Sequence, residues 1–261
     1  MTTKIDKVKL LADLRAAGWD VAPALLASLS DYERDFMRIE MTGLRTREYY
    51  ARRLDQIGFT GGGRVLDAAC GIGQWSMVLA ERFKDVVGLD INAGRIGVAG
   101  ALAAQHGVAN CTFAVGPLEQ LSLADASCDA VFCYGAFMFT DMPRTLAEFR
   151  RVLRPGGKLY LNANSTGWCA HLLLDRGLRA RNLALVRAAL QMAMRTLRGR
   201  TSQIVVRKGW LLRQLAAAGL RVRTIGAEGT VQVALDTVPV PAAYPPRFYG
   251  MTSILEVVAD G

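Results

Sequence analysis

The chain has 261 residues, 51% of them hydrophobic and 21% charged, with a formal net charge of +9. That length and apolar content suffice for one sizeable core, so a single domain carrying an insertion is expected in place of two independent units. No run of about 18 uncharged apolar residues is present, which excludes a spanning helix, and the charged opening "MTTKIDKVKLLADLRAAGWD" lacks the apolar centre of a signal peptide. A soluble, cytoplasmic protein is the expectation. The five cysteines, Cys70, Cys111, Cys128, Cys133 and Cys169, are scattered and form no CxxC pair, so they read as reduced, mostly buried thiols with no metal among them.

A helical stretch runs to about Ile57. Strand-like segments then follow at Arg64–Ala68, Val86–Asp90, Cys111–Val115, Ala130–Tyr134 and Lys158–Asn162. The gaps between them hold the helical patterns "QWSMVLAERF", "NAGRIGVAGALAAQHG" and "MPRTLAEFRRVLRPGG", the last stopped by Pro155 and a glycine pair. Alternating strands and helices, with nearly continuous apolar strands, predict a parallel sheet covered on both faces, a doubly wound α/β fold. A long helical stretch from about Gly167 to Arg200 comes next. Then follow the helix "KGWLLRQLAAAG", the strand "LRVRTIG", a proline-rich loop and the final strand "TSILEVVA".

The first strand ends in "VLDAACGIGQW". Gly71 and Gly73 carry no Cβ, so the backbone there can turn tightly and approach a ligand just before a helix begins. Nineteen residues beyond Gly71, at the end of the second strand, stands Asp90. An acid at that point can accept hydrogen bonds from both hydroxyls of a ribose, so the pair predicts a nucleoside site. Asp67 sits in the first strand itself, where it would repel a pyrophosphate but favour the ammonium and sulfonium of S-adenosylmethionine. Asp67 has a second reading, which is to fix the turn through backbone hydrogen bonds.

Four stretches in this order resemble the class I S-adenosylmethionine-dependent methyltransferases, in particular the small-molecule branch that includes the ubiquinone and menaquinone methyltransferases. They are "VLDAACGIG", "VVGLDIN", "GPLEQLSLADASCDAVFCYGAF" and "LAEFRRVLRPGGKLYL", and together they span roughly Arg64 to Asn162. The resemblance implies a Rossmann-like seven-stranded sheet with S-adenosylmethionine as cofactor and S-adenosylhomocysteine as product. It places Gly71 and Gly73 along the methionine portion, Asp90 on the ribose, Ile91 against the adenine, Leu118 at the adenine edge, and Cys133 and Tyr134 near the transferring methyl. Two positions depart from the family pattern: Ala69 replaces the usual first glycine, and Pro117 stands where many members carry an acid for the adenine amino group. Adenine would then be held by the backbone near Leu118 and by Glu119. The resemblance divides the domain into a helical cap (1–60), a cofactor-binding half (61–163), a helical insertion after strand five (164–208) and a C-terminal helix with strands (209–261).

The sulfonium is already activated, so aligning a nucleophile in a site closed to water supplies much of the acceleration. A base is needed only for a protonated nucleophile, such as an alcohol. His171, just beyond the fifth strand, and Tyr134 are the catalytic candidates; His106, at the end of a helix, reads as a cap. From Leu172 to Lys208 there are nine cationic side chains against Asp175 alone, so most of the net charge sits in the insertion. A helix there would align Leu183, Val186, Leu190, Met194 and Leu197 in one apolar stripe beside Arg187, Gln191, Arg195 and Arg198. The first reading is a lid with that stripe packed and the basic face solvated. Recognition of an anionic or phosphate-bearing acceptor, or peripheral contact with an anionic membrane, are the others. Nucleic acid is disfavoured: "CYGAFMFTD" after the fourth strand lacks the proline pair that grips a flipped base, and the basic cluster lacks interleaved aromatics. The expected activity is methyl transfer to a small molecule by in-line displacement, an O-methylation in natural-product or sugar biosynthesis. A lipid or quinone acceptor, or a silent cofactor-binding scaffold, are the alternatives. The loop "DTVPVPAAYPPRFYG" either reaches the acceptor or crosses to a second subunit of a homodimer.

Overall fold

The computed structural model describes residues 5–234 and 236–261, so the first four residues of the expected cap lie outside it. Four short helices precede the sheet: α1 (Lys7–Ala16), α2 (Pro23–Ser28), α3 (Asp31–Met41) and α4 (Arg47–Gln56). Local caps set three of their starts. Asp6 accepts the amides of Val8 and Lys9, Ser30 and Glu33 form a reciprocal capping box, and Thr46 accepts the Tyr49 amide. The alternating part follows as β1 (Gly62–Ala68), α5 (Gln74–Leu79), β2 (Phe83–Asp90), α6 (Ala93–Gln105), β3 (Cys111–Val115), β4 (Cys128–Cys133), α7 (Met142–Val152) and β5 (Leu153–Asn164). After it come α8 (Thr166–His171), a π-helical segment (Leu172–Arg179), α9 (Leu183–Leu197), α10 (Lys208–Ala217) and β6 (Arg221–Ala227). A small hairpin of β7 (Arg247–Phe248) and β8 (Met251–Thr252) leads into β9 (Ile254–Asp260).

The seven-stranded sheet has the order β3-β2-β1-β4-β5-β9-β6. The first five strands are parallel, as the alternation predicts, but β9 runs antiparallel to both β5 and β6. The physical reason is the connection: β6 and β9 are joined by loop and hairpin without a crossover helix, which permits only antiparallel pairing. The helix α7 also stops earlier than its pattern suggests, at Val152. Pro155 disfavours helical backbone at Arg154, whose side chain is instead drawn to Asp129 Oδ1 at 2.6 Å, and the strand begins at Leu153.

One face of the sheet packs Tyr50, Phe59, Trp75, Phe132 and Tyr160 under the cap helices, and the other packs Leu66, Val131, Leu146, Leu161 and Leu211. Between cap and sheet lies a buried ion pair of Arg53 on α4 with Glu256 on β9. Glu256 also accepts the Tyr160 hydroxyl at 3.1 Å and the amides of Gly229 and Val231 at 3.0 Å each, so its lone pairs are filled. That satisfaction is what lets a charged pair sit in the core.

In the insertion the expected single helical stretch is broken. Arg181 takes a left-handed φ of +53°, and Asn182 caps α9 by accepting the Leu185 amide. The two legs close tightly, because a Cβ on Gly177 would lie 2.8 Å from Val186 Cγ2. The stripe itself is a correction. Leu183, Leu190, Met194 and Leu197 are exposed, and only Val186 of the five is partly covered. Ala189 is the buried residue of α9, flanked by half-buried Leu185, Met192 and Ala193, because small side chains allow close approach on that side.

Candidate active site

The site lies at the carboxyl ends of β1, β2 and β4, where Ala68 pairs in register with Leu89 and Cys133. The chain leaves β1 through Ala69 at φ +64°, Gly71 at +59° and Gly73 at +83°. Left-handed backbone costs a glycine nothing, whereas at Ala69 it costs of order 1 kcal/mol. The amide of Gly71 donates to Asp90 Oδ2 at 3.0 Å and that of Asn92 to Oδ1 at 2.8 Å, so the acid at the end of β2 both shapes the turn and faces it. Asp90 is 3% exposed. Arg95 stands 3.9 Å from its carboxylate and stacks on Phe36 of α3, whose ring comes within 3.4 Å of where a Gly71 Cβ would be. The cap therefore roofs the turn.

Asp67 is 1% exposed and accepts the Ser76 hydroxyl at 2.6 Å. Burial pushes its carboxyl up to about 7, opposed by that hydrogen bond and helped by the nearby Asp90. Next to the glycines, the buried oxygen Gln74 Oε1 has no partner, and neither does Trp75 Nε1. A glycine turn, a buried ribose-type acid and an orphaned acceptor suit the cationic amino-acid end and the ribose of an adenosylated methionine. Ile91 is 77% exposed beside the turn, free to cover a flat ring. Pro117 is exposed, Leu118 is buried in the core, and Glu119 Oε1 accepts the Asp141 amide at 2.8 Å at the start of α7.

Cys133 is fully buried, and burial together with Asp67 pushes its thiol far above the ordinary range, so it stays protonated and inert. Tyr134 stacks with Trp75 and Phe132, with the Arg45 guanidinium 5.9 Å from its ring. Burial, then the charge of Glu228, raises its phenol well above the usual value. Tyr134 is thus a hydrogen-bond donor and not a base near neutrality. His171 lies in a different layer. Its Nδ1 meets Asp175 at 2.8 Å and its ring stacks on Phe248 at 4.1 Å, contacts that tie it to the insertion and the β7–β8 hairpin. His106 is the C-cap residue of α6.

Sequence reasoning missed Glu228, which directly follows β6. It is 1% exposed; its Oε1 accepts Asn162 Nδ2 at 3.3 Å, and its Oε2 has no partner. Asn162 in turn accepts the Gly135 amide at 2.7 Å, linking Glu228 to the loop that carries Tyr134. The only available signal was a polar residue, Asn162, following the apolar run of residues 159–161 in β5; Glu228 is distant in sequence from every motif.

A doubly wound sheet with a glycine turn after its first strand and a buried acid after its second defines a nucleoside-binding α/β protein. Residues 65–157 match a family model described as a methyltransferase domain. The chain is 36% identical over 109 residues to malonyl-[acyl-carrier protein] O-methyltransferase of Serratia marcescens, covering 41% of this chain and 40% of that protein. It is 35% identical over 116 residues to demethylmenaquinone methyltransferase of Renibacterium salmoninarum, covering 44% and 47%. The chain thus spans less than half the length of these relatives. Its fold is similar to that of geranyl diphosphate C-methyltransferase from Streptomyces coelicolor A3(2), solved with Mg2+, geranyl diphosphate and S-adenosyl-L-homocysteine, with a TM-score of 0.60 at 17% identity over 89% of this chain and 85% of that one. Through residues 65–157 the chain is thus similar to the S-adenosylmethionine-dependent methyltransferases.

Proposed function

We propose that the protein transfers a methyl group from S-adenosylmethionine to a hydroxyl of a small-molecule acceptor in natural-product or sugar biosynthesis, working in the cytoplasm. The observation that carries the donor half of this reading is Asp90 buried against the Gly71 amide beside the unpartnered Gln74 oxygen. Asp90 would take the ribose hydroxyls with its remaining lone pairs, and Ile91 would cover the adenine with the 117–119 segment at its edge. Gln74 Oε1 would accept from the ammonium, and Asp67, in its ionised form, would favour the same cationic end. When bound, the cofactor supplies an activated methyl, so the protein's task is alignment and exclusion of water.

The acceptor half rests on Glu228. Both buried cations in that neighbourhood, Arg45 and Arg53, are already paired, with Glu40 and Glu256, while one oxygen of Glu228 is unpaired. A neutral acceptor that brings a hydroxyl donor suits this balance better than a phosphate. Tyr134 would donate to the acceptor oxygen and so position it, and Glu228 would accept the hydroxyl proton on its unpartnered oxygen. His171, oriented by Asp175, stands one layer further out and serves the approach of the acceptor. Free thiols at all five cysteines suit a reducing compartment.

Titration calorimetry with S-adenosylhomocysteine and NADH tests the reading. Micromolar binding of the former, weakened about 100-fold in Asp90→Ala, with no heat from NADH, is the expected result; two silent titrations would leave a fold without this ligand. An acceptor screen with hydroxyl-bearing compounds then separates Glu228→Gln, expected to lose about 100-fold or more in kcat, from His171→Asn, expected to act mainly on KM.

A further inference from the structure

We infer that the outer face of α9 is a docking surface for an anionic lipid bilayer, on which the helix lies parallel to the membrane plane. Leu183, Leu190, Met194 and Leu197 are 80%, 49%, 46% and 83% exposed. One exposed leucine is ordinary, but these four recur at helical spacing from one end of a 15-residue helix to the other, spanning about 21 Å of its length with Arg187 between the first two. Arg187 and Arg198 project from the same side and are exposed. Among the described residues, the side chains of Arg176, Arg181, Arg187, Arg198 and Arg200 have neither a hydrogen-bond nor an ion-pair partner, so this cationic surface is not neutralised from within. A helix with leucines on one line and arginines flanking it is the pattern of an interfacial helix, whose long basic side chains reach the headgroups while the leucines enter the acyl boundary.

The inner face of α9 explains why the stripe stays outside. Ala189 is buried, and the contact between Gly177 and Val186 locks the helix against the π-helical leg, so the orientation is set before any partner arrives and little ordering cost remains. A straight apolar edge along the whole helix matches a planar surface better than the localised pocket of a folded acidic protein, which the arginines alone would satisfy. No helix among the described residues is long and apolar enough to cross a membrane, so the contact is peripheral.

Flotation of the full chain with phosphatidylcholine vesicles, with and without 30% phosphatidylglycerol, tests this surface. Binding is expected only to the anionic vesicles and should fall steeply between about 20 mM and 200 mM salt. Arg187→Gln with Arg198→Gln should weaken it about fivefold per arginine, and Leu190→Ser with Leu197→Ser at least tenfold, with unchanged thermal melts. Leu190→Trp should show a blue-shifted emission quenched by brominated lipid. Three results would each overturn the inference: no flotation at low salt, flotation indifferent to the leucine changes, or a dimer in sedimentation velocity that those same changes dissolve, which would give the face to a second copy of the chain.

Discussion

The sheet and the insertion treat charged and apolar side chains in opposite ways. In the sheet, acids are buried and engaged: Asp67 with Ser76, Asp90 with two amides, Glu256 with Arg53 and Tyr160. In the insertion, Leu183, Leu190 and Leu197 of α9 face outward, and Arg176, Arg181, Arg187, Arg198 and Arg200 stand without a partner among the described residues. The first region meets the requirement that a buried polar group find a partner. The second leaves its apolar surface unspent, which marks a place where something outside the chain completes the burial. Within the first region Gln74 Oε1 and Glu228 Oε2 are buried acceptors without a partner, and the proposed function assigns both to ligands.

The contrast breaks most visibly at Glu256. Glu256→Ala leaves Arg53 charged in the core and should cost about 3–5 kcal/mol in urea unfolding. Leu161→Ala, fully buried in the sheet, should cost about 2–5 kcal/mol in the same measurement.

A pH titration sharpens the account of Asp67. Its folded-state value is raised from 3.8 to about 7, so the folded protein holds a proton that the unfolded chain releases, and this group's contribution to stability falls as pH rises from about 4 through 7. A cationic ligand favours the ionised form, so S-adenosylmethionine should bind up to about tenfold more tightly at pH 7.5 than at pH 6. Asp67→Asn should flatten both slopes, measured by thermal melts without ligand and by calorimetry with it.

The smallest effects separate local strain from surface. Ala69→Gly relieves a left-handed alanine but frees the unfolded chain, so the two nearly cancel and the change should stay within about 1 kcal/mol. Leu190→Ser should shift unfolding by less than about 0.5 kcal/mol, because its side chain already faces water. A larger loss there would mean that the α9 stripe is covered in solution.

The sequence by itself determined the alternation of β1 to β5 with their helices, the turn at Gly71 and Gly73, the position of Asp90 and the cationic excess of the insertion. These are carried by short-range signals: periodicity, glycine's backbone freedom and composition. Only the tertiary structure decided that β9 enters antiparallel between β5 and β6, that α9 turns its leucines outward, and that Glu228 meets Asn162 across 66 residues with one oxygen unpartnered. Periodicity states that a helix has two faces, but which face is covered depends on what packs beside it. Likewise, whether a buried acid is paired depends on residues that only the folded chain brings together.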